Sequence, residues 1–336
     1  MFVIHSYAVA VIFCLITMLC WGSWANTQKL AKKSWAFQLF YWDYALGILI
    51  LSLVLALTMG STGSEGRAFI ADLQQASRDN LISAFIGGIV FNIANILLVA
   101  AIDIAGMAVA FPIAIGLALV LGVIVNYVST PIGNPLLLFL GVIAIVIAII
   151  VDAIAYRRLK IKQIKSAGVS KGVLIAVIAG ILMGFFYHFV AKAMTLDFVH
   201  PQAGMLTPYT AMFIFATGIF LSNFIVNGWM VKKPIVGKKL KFTDYFTEGN
   251  PWLHFVGILG GIIWGIGSLF NFIASGLAGA AISYGLGQGA TMIAALWGVF
   301  IWKEFNGAPD GTNKLLSAMF IFYLLGLVLI ILARVV

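Results

Sequence analysis

Asp43, in the string YWDY at residues 41–44 of an otherwise apolar run, is the residue best placed to do chemistry. Counted from a predicted helix start at residue 36, it lies roughly 12 Å in at about 1.5 Å per residue. A carboxylate at that depth in hydrocarbon costs about 2.5–3.5 kcal/mol even on a lenient scale. It must therefore serve as a protonatable coupling group, as an acceptor for a solute, or as the structural partner of a buried Asn or Lys. No lysine or arginine lies deep in an apolar run, since Lys192 sits near the end of the sixth. His188 is the reserve titrating group, although a hydrogen-bonded core histidine reads equally well. Around these stand neutral donors and acceptors: Asn26, Asn92, Asn95, Asn223, Asn227, Ser268, Asn271, Tyr284 and Gln288. Each alone serves equally as glue between helices. As a set they hold more amide and phenol than charge, which suits a neutral polar solute better than an ion. No pair of acids and no His/Asp/Glu metal spacing lies inside the runs, so neither an enzyme nor a metal site is expected. Cys14 and Cys20, six residues apart in one apolar run, suit neither a disulfide framework nor a metal.

The elements that must position these groups are membrane helices. Of 336 residues 62% are hydrophobic and 9% charged, against about 25% charged in a soluble domain. The net charge of +9 could suit a nucleic-acid binder, but the basic residues sit in short connections between apolar runs, not on a folded soluble face. Crossing the hydrocarbon core takes about 20 residues, which predicts ten spans at about 6–28, 36–59, 81–102, 107–128, 135–156, 171–194, 208–231, 252–276, 279–302 and 314–334. The first run lacks a preceding Lys or Arg and a small-x-small cleavage site, so it is expected to remain as a span. The connections are too short for a nucleotide-hydrolysing module, and no G-x-x-x-x-G-K-[ST] string occurs. GLGQGA at residues 285–290 is set aside as a dinucleotide fingerprint because no βαβ unit surrounds it.

Sixteen of the 20 basic residues fall in odd-numbered connections, among them Lys29, Lys32, Lys33, Arg157, Arg158, Lys160, Lys162, Lys165, Lys171, Lys232, Lys233, Lys238, Lys239 and Lys241. The positive-inside rule then makes those connections cytoplasmic and both termini external, in the inner membrane of the cell. The halves also repeat. A shift of 173 residues lays Gly87–Gly122 on Gly260–Ala295 with nine of 36 positions identical, GGIVFNIAN falling on GGIIWGIGS. Five spans per repeat is an odd number, so the halves, 1–156 and 171–336 around a basic connection at 157–170, cross in opposite senses. That is the inverted-repeat plan of secondary transporters, with a solute site near the midplane. Pro112 falls on Gly285, so both halves are expected to carry a helix interruption there. The spacing of Gly257, Gly261 and Gly265, and of Gly180 and Gly184, reads as close helix packing.

The paired GGIVFNIAN and GGIIWGIGS segments, PIAIGLALVLG, WGSWANTQKL, YWDY, the Asn126–Tyr127 pair and the WKE ending span nine together resemble the drug/metabolite transporter superfamily. Within it the sequence is similar to the branch of ureide permeases, L-rhamnose/proton symporters and glucose/ribose porters. The resemblance implies an all-α fold of ten helices in two inverted five-helix repeats, proton-coupled uptake of a small neutral solute such as a ureide, nucleobase or monosaccharide, and no cofactor. It carries the family's functional positions onto Asp43, Asn95, Asn126 and Tyr209. Phe111 departs from the acidic residue of ureide permeases, and the longer central loop of plant members is absent. The expected solute contacts are thus Asn26, Asn95, Pro112, Tyr209, Ser268, Asn271, Tyr284 and Gln288, with Asp43 and His188 as proton carriers. A drug or metabolite exporter of the same fold is the alternative.

Overall fold

A membrane interior offers no water to backbone N–H and C=O groups, so an apolar run that crosses it must close its hydrogen bonds within itself as a helix. The computed structural model describes residues 1–31, 35–159, 169–235 and 239–336. Among them ten helices are long and apolar enough to cross a membrane: Tyr7–Leu30, Phe37–Leu57, Arg78–Ala105, Val109–Ser129, Pro135–Leu159, Ser170–Ala193, Pro208–Lys232, Pro251–Ala278, Ala280–Ile301 and Thr312–Leu332. They are spans one to ten, and each lies where the apolar runs predict it. The extended contact among the described residues is one isolated bridge, Met194 with Leu206. The two shortest connections turn on Gly106 (φ 80°) and Gly279 (φ 85°), backbone conformations open to a residue without a Cβ.

The spans define two ends. At the first, the N-terminal amine of Met1 donates to the Glu65 carbonyl at 2.5 Å, Asn134 N–H to the Ala333 carbonyl at 2.6 Å, and Arg334 Nε to the Leu277 carbonyl at 2.9 Å. Both termini and the even-numbered connections are therefore together. At the second, Lys29 pairs with Glu304 at 3.0 Å, Trp302 Nε1 donates to Asn26 Oδ1 at 2.6 Å, and Tyr156 donates to Glu304 at 2.7 Å. This second end carries the odd-numbered connections and is called the basic end. Lys32, Lys33, Lys160, Lys162, Lys165 and Lys238 lie outside the described residues.

Span three packs on spans six and seven, and span four on span six; with the halves exchanged, span eight packs on spans one and two, and span nine on span one. Spans two and seven, four and nine, and five and ten pack on one another. Close approach at the glycines follows the spacing read from the sequence. A Cβ on Gly261 of span eight would meet the Tyr44 carbonyl of span two at 2.0 Å, and one on Gly88 of span three would meet the Phe215 carbonyl of span seven at 2.1 Å.

The expected pair of helix interruptions is found in one half. Span nine breaks between Ala280–Gly287 and Ala290–Leu296 and then opens into a π-helical turn at Trp297–Ile301. Span four, by contrast, continues as helix from Met107 to Ser129 through Pro112. A single proline removes one ladder hydrogen bond, a loss that helices surrounded by other membrane helices tolerate. The GLGQGA run places three glycines in five residues, each about 1 kcal/mol poorer than alanine in a helix, and the break falls within it.

Each end also carries a short helix after the second span of its half. Phe69–Gln75 caps the termini end and Asp244–Thr247 caps the basic end. The cap at the termini end is tied by Arg67 to Asp72 at 2.9 Å, by Arg67 to the Pro201 carbonyl at 2.7 Å, and by Thr207 N–H to Asp72 at 2.8 Å. Gln75 adds bonds to Met205 and Gly204 at 3.0 and 2.6 Å.

Candidate functional site

At the centre of the bundle Phe91 of span three and Trp264 of span eight meet with ring centroids 4.4 Å apart and planes 32° apart. These two positions are equivalent under the 173-residue shift, so one residue from each half builds the contact. Trp21 stacks on Trp264 at 6.0 Å and 12°, Phe215 stacks on it at 6.0 Å and 22°, and Tyr44 tilts against it at 6.3 Å. Phe91, Trp264, Tyr44 and Phe215 are all buried. The tilted and offset arrangement is the one aromatic pairs prefer over a face-to-face sandwich.

Polar groups flank the stack in a matching pair. Asn95 donates to the Tyr41 hydroxyl at 3.3 Å, and Trp21 Nε1 donates to the Ser268 hydroxyl at 3.0 Å. Asn95 and Ser268 are again equivalent under the shift, one turn beyond Phe91 and Trp264. Asn271 donates to the Ser283 carbonyl at 2.8 Å, while its Oδ1 and the Tyr44 hydroxyl are buried with no hydrogen-bond partner among the described residues. Buried polar atoms in that state are uncommon and call for a role.

The other sequence candidates are distributed unevenly. Tyr284 is fully buried, but its hydroxyl is 3.1 Å from both the Ala118 and Met183 carbonyls, where it ties span nine to spans four and six. Gln288 is buried at the break in span nine. Tyr209 lies at the termini end, its hydroxyl donating to the Phe2 carbonyl at 3.1 Å, and Asn26 lies at the basic end against Trp302. Neither joins the central group. Asn126 donates within its own helix to the Gly122 carbonyl at 2.7 Å. His188 is half-buried at the termini end, its Nδ1 3.2 Å from the Ser129 hydroxyl, and so belongs to the opposite end from Asp43. A surface cleft of about 430 Å³ lined by Met1, Phe2, His5, Met59 and Glu65 lies at that same termini end, away from the stack.

Asp43 is 1% exposed and immediately precedes Tyr44, on its basic-end side. It lies six residues past Phe37, roughly 9 Å into the span at about 1.5 Å per residue, shallower than the sequence suggests. Its partners are two residues that sequence reasoning missed. His254 Nδ1, from the first turns of span eight, is 2.9 Å from Asp43 Oδ2, and Tyr245, from the cap helix Asp244–Thr247, donates to Asp43 Oδ1. Gly257 allows the approach, since a Cβ there would lie 2.5 Å from the Asp43 Cβ. Trp35 closes the group edge-on to His254 at 5.5 Å. Burial first, and then the Asp43 carboxylate, push the Tyr245 hydroxyl well above the ordinary phenol range, so it remains a donor. A search for a partner among Lys and Arg alone passes over His254, although the Gly257/Gly261 spacing on its own helix predicts close contact with a neighbour.

Comparison with known proteins gives one family. The sequence profile described as Ureide permease matches residues 40–165 and 156–333. Ureide permease 1 of Arabidopsis thaliana is 23% identical over 96% of this chain and 96% of its own length. Ureide permease 4 of the same plant is 24% identical over 95% of each. Transmembrane protein 144 homolog B of Dictyostelium discoideum is 26% identical over 45% of this chain and 38% of its own length. A protein of known crystal structure shares the fold with a TM-score of 0.62 at 14% identity, over 98% of this chain and 100% of that one. Permease is the name of a transporter and not of an enzyme, and the described residues hold ten apolar helices long enough to cross a membrane. With the profile matching from span two to span ten, the chain belongs to the ureide permease family.

Proposed function

We propose that this protein is a proton-coupled importer of a small, flat, neutral solute of the ureide class, built as two inverted five-span repeats with both termini outside the cell. The observation that carries the solute class is the Phe91–Trp264 ring pair with Asn95 and Ser268 beside it. A ureide is planar and rich in N–H and C=O groups, so it can slide against the rings while exchanging hydrogen bonds with the amide and hydroxyl groups. The unpartnered Tyr44 hydroxyl and Asn271 Oδ1 add a donor and an acceptor. The names of the plant relatives support the same class. The inverted repeat is supported by the packing pairs that interchange when the halves are exchanged.

Purified protein should be stabilised against heat by ureides ahead of nucleobases and monosaccharides, since a ligand that binds only the folded state raises its stability. Asn95→Ala and Gln288→Ala should each weaken that binding by about 1–3 kcal/mol, the cost of losing a polar contact in a dry site. Normal binding and transport in both variants would move the pocket elsewhere.

The orientation follows from the 16 basic residues of the odd-numbered connections. A cysteine replacing Val336, which is 79% exposed, should react with a membrane-impermeant reagent added to whole cells. Labelling only after the membrane is opened reverses every sidedness in this scheme.

A further inference from the structure

We propose that Tyr245, Asp43 and His254 form a titratable latch at the basic end, in which the closed cap holds the transported proton on the Asp43–His254 pair. This deepens the proton-coupled reading by naming the gate and the second residue that shares the proton.

The two caps differ in what holds them. The outer one is tied by a guanidinium, which keeps its charge at any physiological pH, and by bonds to carbonyl and N–H groups of residues 201–207. Among the described residues the inner one is hydrogen-bonded to span two through Tyr245, whose acceptor is the Asp43 carboxylate, while the Phe242 ring of the same segment only packs against Trp42 at 6.3 Å. The bond of Lys241 N–H to Asp244 at 2.8 Å is local to the cap, and that of Leu240 N–H to the Val231 carbonyl at 2.9 Å ties it only to span seven. A repeat with a fixed clasp at one end and one titratable clasp at the other opens more readily at the second.

The groups around Asp43 set the sign. Tyr41 and Tyr44 share its helix, Lys232 of span seven faces the Phe242 ring at 5.6 Å, and the neighbouring acids of the cap segment are Asp244 and Glu248. Among the described residues the group of opposite charge that reaches Asp43 is His254. With neutral His254 donating through Nδ1–H, the trio, buried at Asp43 and half-buried at His254 and Tyr245, carries one net negative charge. A proton added at Nε2 makes an imidazolium–carboxylate pair of zero net charge, and charge-assisted bonds are the stronger ones. A buried net charge is costly, so closing the cap takes up a proton and opening it to water releases one. Acid therefore favours the closed cap and alkali the open one. The His254 ring edge beside Gly249, where a Cβ would lie 2.4 Å from Nε2, puts the exchanging nitrogen against the cap segment itself.

Spin labels on cysteines replacing Phe246, 78% exposed in the cap, and Ser170, exposed at the start of span six, report cap opening in the full chain in nanodiscs. The parent should give one short distance in mild acid and a second, longer population in mild alkali. Tyr245→Phe should populate the longer distance at both, while His254→Gln, which still donates to Asp43, should lose the pH response. Melting temperatures near the parent's confirm that both variants are folded. A parent distance that ignores pH, or a Tyr245→Phe distribution like the parent's, overturns the latch. pH-driven accumulation with an unresponsive cap rejects the latch and leaves proton coupling standing. A responsive cap without accumulation supports the latch and rejects the coupling.

Discussion

Proteoliposomes containing Asp43→Asn should exchange solute across the bilayer but fail to accumulate it when the outside is made acidic. An asparagine keeps the shape of the site: its Oδ1 still accepts from Tyr245, and its amide donates to His254 Nδ1 in the other tautomer. What it loses is the negative charge. An imidazolium at position 254 then has no opposing charge among the described neighbours, and an unpaired charge in a low-dielectric surrounding is the costly case. The pair consequently stops carrying a proton through the cycle. The size of the effect follows from the driving force, since one proton moved down one pH unit supplies about 1.4 kcal/mol, a tenfold concentration of solute. The parent should approach that ratio and the variant a ratio of about one, with exchange rates measured separately in the absence of a gradient. Retained accumulation in the variant rejects Asp43 as the coupling residue, and accumulation that follows sodium instead rejects the proton.

The bundle was legible because membrane helices are written in long apolar runs. Ten spans and the sharing of one end by the odd-numbered connections follow from composition and spacing. The central ring pair was half legible: the shift that aligns the halves places Phe91 on Trp264 and Asn95 on Ser268, but alignment alone does not say that equivalent residues meet in space. Tyr209 and Asn26 show the opposite limit. Both are polar groups near span ends, and depth within a bundle depends on helix tilt and on which neighbour reaches them first. They bond Phe2 and Trp302 at opposite ends of the bundle, away from the Phe91–Trp264 pair. His254 and Tyr245 were missed because their contact with Asp43 spans 211 and 202 residues of sequence and depends on a four-residue helix inside a polar connection. Nothing in the local pattern of that connection announces that it folds back over span two. The Pro112/Gly285 match held in one half: span four continues through Pro112, its one lost ladder bond tolerated among packed membrane helices, while span nine breaks at its run of glycines.

Gly261→Ala and Gly88→Ala should be the most damaging one-carbon additions in the protein, and by similar amounts. The added Cβ would lie 2.0 Å from the Tyr44 carbonyl oxygen and 2.9 Å from Ile48 N in one case, and 2.1 Å from the Phe215 carbonyl oxygen and 2.9 Å from Ile219 N in the other. All four are backbone atoms, so no side-chain rotation relieves the overlap and the helices themselves must separate. Overpacking of that kind costs about 1–3 kcal/mol. It acts at the proposed solute site, because Tyr44 and Phe215 are two of the rings against Trp264, and parting the helices at their carbonyls loosens the stack. Thermal unfolding in detergent should fall in both variants, and solute binding should weaken with it. Gly116→Ala is the matched control: nothing lies within 4 Å of its added Cβ, and alanine exceeds glycine in helix propensity by about 1 kcal/mol. It should leave stability unchanged or raise it. The comparison separates close approach from glycine content as such. Equal losses at Gly88 and Gly261 are the signature of two halves packed by one rule, whereas a loss confined to one of them would mean that the repeat in the sequence no longer governs the packing.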